Sequence, residues 1–456
     1  MTACFLHMKK LFKHKKAFKL RIGKRNSSDD KTGIHVRYEE PYMRLTTNIL
    51  AFNTGSSSIK FSLYAFGESE RLVFNGSLSR IGAHVTDCLV LDDHGKSIVH
   101  ERVVSQDHKA ACEYVFSWIL SMGEGFRPDA VGHRIVHGGP LFSTPQLVTS
   151  QIIASIETLS PYAPEHIPQA INVIRHTAKL FPGIPQVTSF DTSFHSTMPP
   201  VARLYALPES IRSEGVQRYG FHGLSYEYLL LELQRQKGRE ALQKRIILAH
   251  LGHGASMAAV KDGKSIETTM GFSPAGGMVM STRTGDLDPG VILFLLQQDK
   301  MTPAAIKEMV NRQSGLLGVS GRTDDMLDLL NAEEVDDAAR QAVELFCYQA
   351  RKYIGSLAAV LGGLDTLVFT GGIGEHSPEI RSRICADLEF LSLLVDERKN
   401  SANSSVISQE DGQVEILIIK TNEELMIARH MLIPAISNTF SGQLRTLNIH
   451  HSVCKK

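Results

Sequence analysis

At 456 residues the chain has room for two domains with substantial cores, and 43% apolar with 21% charged residues describes a water-soluble globular protein. A formal net charge of +1 gives no overall pull toward nucleic acid or acidic membranes, and no apolar run is long enough to insert across a bilayer. The six cysteines (Cys4, Cys88, Cys112, Cys347, Cys385, Cys454) are scattered without a C-x-x-C pair, which argues against a disulfide framework or a zinc site and points to the cytoplasm.

Residues 1–44 stand apart from the rest. Lys9, Lys10, Lys13, Lys15, Lys16, Lys19, Arg21, Lys24 and Arg25 crowd together before the first acid, Asp29, with Phe and Leu interleaved. Such a stretch suits a membrane-surface or nucleic-acid arm, or a transit peptide. It suits equally an upstream extension without a part in catalysis, with Met43 as an alternative start, and we read it so.

The next stretch, N-I-L-A-F-N-T-G-S-S-S-I-K-F-S-L-Y from Asn48 to Tyr64, runs apolar from Ile49 to Phe52, turns at Asn53 to Ser58, then alternates Ile59, Phe61, Leu63 against Lys60, Ser62, Tyr64. That predicts two antiparallel strands. Gly55 admits a close ligand, the turn offers N–H and hydroxyl donors to a polyphosphate, and Asn53 and Lys60 add a neutral ligand and a cation. An ordinary serine-rich hairpin reads the same way. Strands follow at Leu72–Phe74 and Cys88–Leu91, a helix at Ala110–Leu120, a strand at Ala130–Val136, a helix begun by Glu165-His166-Ile167-Pro168 and running toward Leu180, and a strand from Gln186 to Phe190 ending at Asp191.

Arg245 to Val260, R-I-I-L-A-H-L-G-H-G-A-S-M-A-A-V, repeats the design of the first hairpin, with Gly252, His253 and Gly254 in the turn. Apolar spacing predicts a helix over Arg340–Leu361, stopped by Gly362-Gly363. A strand at Thr366–Thr370, a loop at Gly371–Glu375, a helix capped by Ser377 and a strand at Val414–Ile419 follow. Strands and helices alternate, so the class is α/β. The expected domains are 45–191, rejoined by 423–456, and 192–422.

Arg134 and Arg283 lie in different domains. Two guanidinium groups match the charge spread over a phosphoryl group in transit, or over a carboxylate, although two surface salt bridges would read alike. Asp191 and Glu423 both end strands, and magnesium takes one or two carboxylates beside nucleotide phosphates.

Two strand–turn–strand loops far apart resemble the paired phosphate motifs of the actin, sugar-kinase and Hsp70 class, a duplicated ribonuclease H-like ATPase fold with its site in the interdomain cleft. G-H-R-I-V-H-G-G, F-D-T-S-F-H-S-T-M-P-P, R-Y-G-F-H-G-L-S, S-T-R-T-G-D-L-D-P, T-G-G-I-G-E-H-S-P and T-N-E-E-L-M-I-A-R then occur in the order found in acetate kinases. From about Asn48 to about Arg429 the chain resembles that family.

The resemblance implies reversible phosphoryl transfer from ATP to acetate, with magnesium (or manganese) and a homodimer formed through the second domain. It implies Arg134, Arg283, His222 and Asp191 as catalytic residues, with His166 in support. Arg134, Val136, Phe221 and Pro274 would hold the acid. Lys60, His250, Gly252, His253, Gly254, Asp286, Gly371, Gly372 and Gly374 would hold ATP, and Asn53 and Glu423 the metal. Four positions depart from the family pattern. Glu165 stands where an apolar residue completes the acid pocket, and Gly276 where an acid is usual. His253 and His376 each replace an asparagine. A Glu165 carboxylate facing the substrate would repel the acid as pH rises; the alternative is that it points to solvent and another residue closes the pocket. His253 raises pyrophosphate as a donor. The alternatives are a propionate or other short-chain acyl kinase, or a nucleotide-dependent switch or chaperone ATPase of this architecture. Arg134, Arg283 and His222 together disfavour a switch, which needs no acceptor site.

Overall fold

The structure, a computed structural model, describes residues 46–433 apart from 56, 83–84, 106 and 298–300. The basic extension and most of the tail expected to rejoin the first domain lie outside the described residues.

The strands are β1 (Thr47–Thr54), β2 (Ser58–Phe66), β3 (Glu70–Ser79), β4 (Thr86–Asp92), β5 (Ser97–Val103), β6 (Ala130–Ile135), β7 (Gln146–Leu147), β8 (Gln186–Phe190), β9 (Ile246–Leu251), β10 (Ala255–Lys261), β11 (Lys264–Thr268), β12 (Thr366–Thr370) and β13 (Glu415–Ile418). They form an eight-stranded sheet, β5-β4-β3-β2-β1-β6-β8-β7, and a five-stranded sheet, β11-β10-β9-β12-β13. Within the larger sheet, β3-β2-β1-β6-β8 repeats the smaller one. Each set begins with an antiparallel meander, then adds two strands parallel to its first. The duplication read from the two glycine turns is therefore one of topology as well.

The helices that matter for the site are α1 (His108–Ser121), α2 (Ile167–Leu180), α3 (Gly223–Lys237), α4 (Pro289–Gln297), α5 (Pro303–Arg312), α6 (Asp337–Leu361), α7 (Gly371–His376), α8 (Pro378–Cys385) and α9 (Glu423–His430). Alternation along each central strand feeds two cores. From β1, Leu50 and Phe52 pack with Val115 of α1 and Val173 of α2, whereas Ile49 and Ala51 pack with Ile427 of α9. From β9, Ile247 and Ala249 meet Phe346 and Ala350 of α6, and Ile246 and Leu248 meet Leu229 and Leu233 of α3. Both sheets are thus covered by helices on two faces, and both belong to one compact unit, Leu45–Lys456.

Two differences from expectation have local causes. The loop expected at Gly371–Glu375 is a helical turn, α7, because the Glu375 carboxylate accepts the Gly371 N–H at 3.0 Å and caps it. The strand β5, S-I-V-H-E-R-V, lacks an apolar alternation and is a strand only through its pairing with β4.

Candidate active site

The parallel strands β1, β6, β8, β9, β12 and β13 deliver the site residues from their carboxyl ends, where ligands bind in open α/β sheets. Gly132 in β6 lets α9 approach closely, since a Cβ there would lie 2.5 Å from Ile427 Cγ2. The first turn of α9 is thereby laid against the end of β1. Asn53 Nδ2 donates to Glu423 Oε2 and Glu424 Oε1, each at 3.0 Å. Its Oδ1 accepts from Arg134 Nη1 at 2.8 Å.

Arg134 is anchored a second time. Its Nε donates to both oxygens of Asp191, at 2.9 and 3.0 Å, and Nη2 completes a fork-on-fork pair. Burial pushes the Asp191 carboxyl up, and the guanidinium opposes this. Burial likewise disfavours the charge on Arg134, but the Asp191 carboxylate more than offsets it and Arg134 stays charged. Asp191 thus serves as the partner of Arg134. Gly223, whose N–H donates to Asp191 O at 2.9 Å, ties this pair to α3.

His222 precedes α3 in a left-handed backbone conformation, φ 59°. Its Nδ1 lies 2.8 Å from Ser256 Oγ, and its ring stacks on His250 at 4.2 Å between centroids. His250 Nδ1 meets Ser225 Oγ at 2.9 Å, and Ser225 meets Thr421 Oγ1 at 2.8 Å. A Cβ placed on Gly254 would lie 3.2 Å from His222 Nε2 and 3.4 Å from Arg283 Nη1. The second glycine turn, His222 and Arg283 therefore converge on one point.

Arg283 donates through Nη1 to Pro274 O at 3.1 Å, and no carboxylate pairs with it among the described residues. Burial and the charge of Arg134 lower its pKa. Burial, then His250, Arg134 and Arg283, hold His222 well below the ordinary histidine range, so the ring is neutral. His166 feels the same two arginines after burial and falls to about 4, with its buried Nδ1 unpartnered.

The glycine turns abut. Gly252 faces the Gly372 N at 3.6 Å, measured from a built Cβ, and nothing lies within 4 Å of a Cβ on Gly372. Gly371 requires glycine, with φ +77° and the Leu251 carbonyl oxygen 2.6 Å from a built Cβ. Val136 and Phe221 join Phe142, Phe190 and Leu159 in the apolar cluster beside Arg134. Lys60 sits opposite Asn53 in the β1–β2 register, and its charge, after burial, Arg134 and His250, acts on Glu423.

Three residues stand differently from expectation. Glu165 is turned into a salt bridge, accepting from Arg312 at 2.8 Å with Lys307 Nζ at 3.0 Å. Burial would raise its pKa, but the bonds from Arg312 and Lys307 hold it below the usual carboxylate range. Of the two placements open to Glu165, the pairing with Arg312 and Lys307 favours the one away from the acid over an unpaired charge facing it. Replacing Glu165 with leucine should shift the KM for acetate by less than about fivefold, the scale of an exposed ion pair, with parallel pH profiles; a pH-dependent gap between the two proteins would restore the pocket assignment. His253 points to Asp324 Oδ2, 3.1 Å away, and is largely exposed. Asp286 accepts the Gly277 N–H at 2.8 Å and binds the Tyr353 hydroxyl, so it braces the 276–286 segment.

Sequence reading missed Tyr226, Ser225 and Thr421, and named Ser256 and Glu375 only as members of their turns; Ser256, Tyr226, Ser225 and Thr421 hold the two stacked histidines, and Glu375 accepts from Thr370, Gly371 and Thr421. The one available signal was position: Glu375 follows Gly374 directly and Ser256 lies two residues after Gly254, each in a turn already singled out.

A family model described as the Acetokinase family matches residues 48–429. The chain belongs to the acetokinase family. Among other acetokinases, an acetate kinase of Rhodopseudomonas palustris is 44% identical over 390 residues, covering 84% of this chain and 97% of that one. One from Coprothermobacter proteolyticus is 42% identical over 390 residues, with the same shares. The crystal structure of Porphyromonas gingivalis acetate kinase matches with a TM-score of 0.77 at 36% identity, covering 86% of this chain and 100% of that one. A propionate kinase from Francisella tularensis matches at 0.78 and 34% identity, covering 84% and 98%. The family resemblance and the duplicated α/β architecture are thereby borne out.

Proposed function

We propose that this acetokinase transfers the γ-phosphoryl group of ATP to acetate, giving acetyl phosphate and ADP, and catalyses the reverse reaction. The observation that carries the reading is the convergence of Arg283, partly buried and without a carboxylate partner among the described residues, and neutral His222 on Gly254 in the second glycine turn. A partly desolvated cation without a counter-ion gains when an anion arrives, and a carboxylate or phosphoryl group supplies one.

In this mechanism Arg134, oriented by Asp191 and Asn53, holds one side of the acceptor carboxylate, with Val136, Phe221 and Pro274 around its methyl end. Attack is in line, and Arg283 and His222 donate to the equatorial oxygens as charge redistributes. No covalent bond to the protein forms. The adenosine lies against Gly371–Gly374 and the phosphates against Gly252–Gly254 and Lys60.

The residues present fit a hydrated magnesium ion. Glu423 is held below the usual carboxylate range, against burial, by Arg134, His250 and Lys60, and its Oε1 carries no hydrogen bond from the described residues. No cluster of three or more His, Cys, Asp or Glu occurs among the described residues. That suits an ion drawing most ligands from phosphate and water, and such an ion neutralises phosphate charge. Glu423 and the Asn53 amide would hold it.

The reading extends to a homodimer, supported by α4, which has no buried residue while Val291, Leu293 and Leu296 are exposed. Four free thiols among the described residues suit the cytoplasm, and no described helix is long and apolar enough to cross a membrane. Hydroxylamine trapping of acyl phosphate, with ATP or pyrophosphate and with acetate, propionate or butyrate, tests the assignment. Hydroxamate should form with ATP and fall from acetate to butyrate. Its absence with every acid would remove the carboxylate-kinase reading, and a maximum at propionate would move the chain to propionate kinase.

A further inference from the structure

His222 is held by more than one hydroxyl. Tyr226, one helical turn along α3, is wholly buried, and its phenol has one hydrogen-bond partner among the described residues, Ser256 Oγ. Ser256 is wholly buried too, and among the described residues its hydroxyl has only Tyr226 and His222 Nδ1, at 2.8 Å, to serve. A phenol O–H donates once, and here only Ser256 is available to accept. The serine proton must then go to His222 Nδ1. The opposite orientation would strand the tyrosine proton in the core, a penalty large enough to bias the equilibrium about tenfold or more.

We propose that Tyr226 and Ser256 form a hydroxyl relay that fixes His222 as the Nε2–H tautomer, so that its imidazole always presents a donor toward Gly254 and the group in transit. Both are positioning residues, and the inference rests on the reading that His222 faces the phosphoryl group. The neighbouring ring is built alike. His250 Nδ1 meets Ser225, which meets Thr421, and its Nε2 has no hydrogen bond to the described residues. Two stacked imidazoles thus have their Nδ1 atoms turned to serines. Without the relay, a neutral histidine would divide between tautomers, and the Nδ1–H form would offer the phosphoryl oxygens a lone pair.

The test is nitrogen NMR of the full-length protein with 15N-labelled histidine at neutral pH, His222 being identified by the signal missing in His222→Asn. His222 Nδ1 should resonate as an unprotonated acceptor and Nε2 as a protonated nitrogen. The reverse assignment, or an averaged one, overturns the relay. In parallel, Ser256→Ala should lower kcat about tenfold while both KM values move little, as for a bond that matters only as charge develops. The isosteric Tyr226→Phe should lower kcat by a smaller factor. Folded Ser256→Ala with unchanged kcat overturns the relay; if that variant does not fold, the wild-type spectrum decides alone. Full turnover in His222→Asn would instead remove the functional reading beneath it, and the relay's role with it.

Discussion

Replacing Arg283 with alanine should lower kcat at least about 100-fold, as expected when a preorganised donor to developing charge is removed, and should leave the thermal midpoint unchanged or raised. Arg283 is partly buried, its pKa lowered by desolvation and by Arg134, and among the described residues it has no carboxylate to leave behind. Arg134→Ala should cost comparable activity but also roughly 3–5 kcal/mol of stability, because Asp191 stays buried without its partner. The sign with pH is fixed. An orphaned, buried Asp191 has a folded-state pKa above its unfolded value, so its contribution is favourable at low pH and lost as pH rises through the folded pKa. The Arg134→Ala deficit should therefore be smaller at pH 5 than at pH 8. Thermal melts of both variants at both values separate the two roles. Equal stability losses would dissolve the distinction between an anchored arginine and an unpaired one, and near-normal turnover in either folded variant would remove the mechanism.

Why one arginine is anchored and the other is not could not be read from the chain. Arg134 and Asp191 are 57 positions apart, and nothing local marks them as a pair. The turns themselves were legible because Gly55, Gly252 and Gly371 each follow a near-continuous apolar run, the signature of a strand buried on both faces. The repetition of that pattern revealed the duplication. Side-chain direction was not legible. Glu165 occupies a pocket position by motif, yet its partner Arg312 lies 147 residues away on α5, and proximity created by folding turned the carboxylate aside. The serines behind the histidines are invisible for the same reason: Ser256 meets His222 across a separation of 34 residues. Motif order thus located the backbone of the site, while its hydrogen-bond wiring depended on contacts between elements distant in the chain.

The adenosine turn can be tested through two adjacent glycines with opposite surroundings. In Gly371→Ala the new methyl group would sit 2.6 Å from Leu251 O and 3.1 Å from Leu251 N, in a backbone with φ +77°. Neither neighbour is a flexible side-chain tip, so backbone must move, and the left-handed conformation adds about 1–2 kcal/mol. Leu251 is the last residue of β9 and leads directly into Gly252, so both glycine turns should shift together. The expected result is a lower melting temperature and a KM for ATP raised at least about tenfold, equivalent to ~1.4 kcal/mol of lost binding. Gly372→Val differs in kind. Its φ is not positive and no atom lies within 4 Å of a built Cβ, so the fold should be untouched. The added branches would occupy the space assigned to the nucleoside. Its melting temperature should match wild type, its KM for ATP should rise, and its KM for acetate should stay constant. A Gly372→Val enzyme that binds ATP normally would show that the nucleoside does not lie against this turn, and the low affinity of Gly371→Ala would then reflect displaced backbone alone.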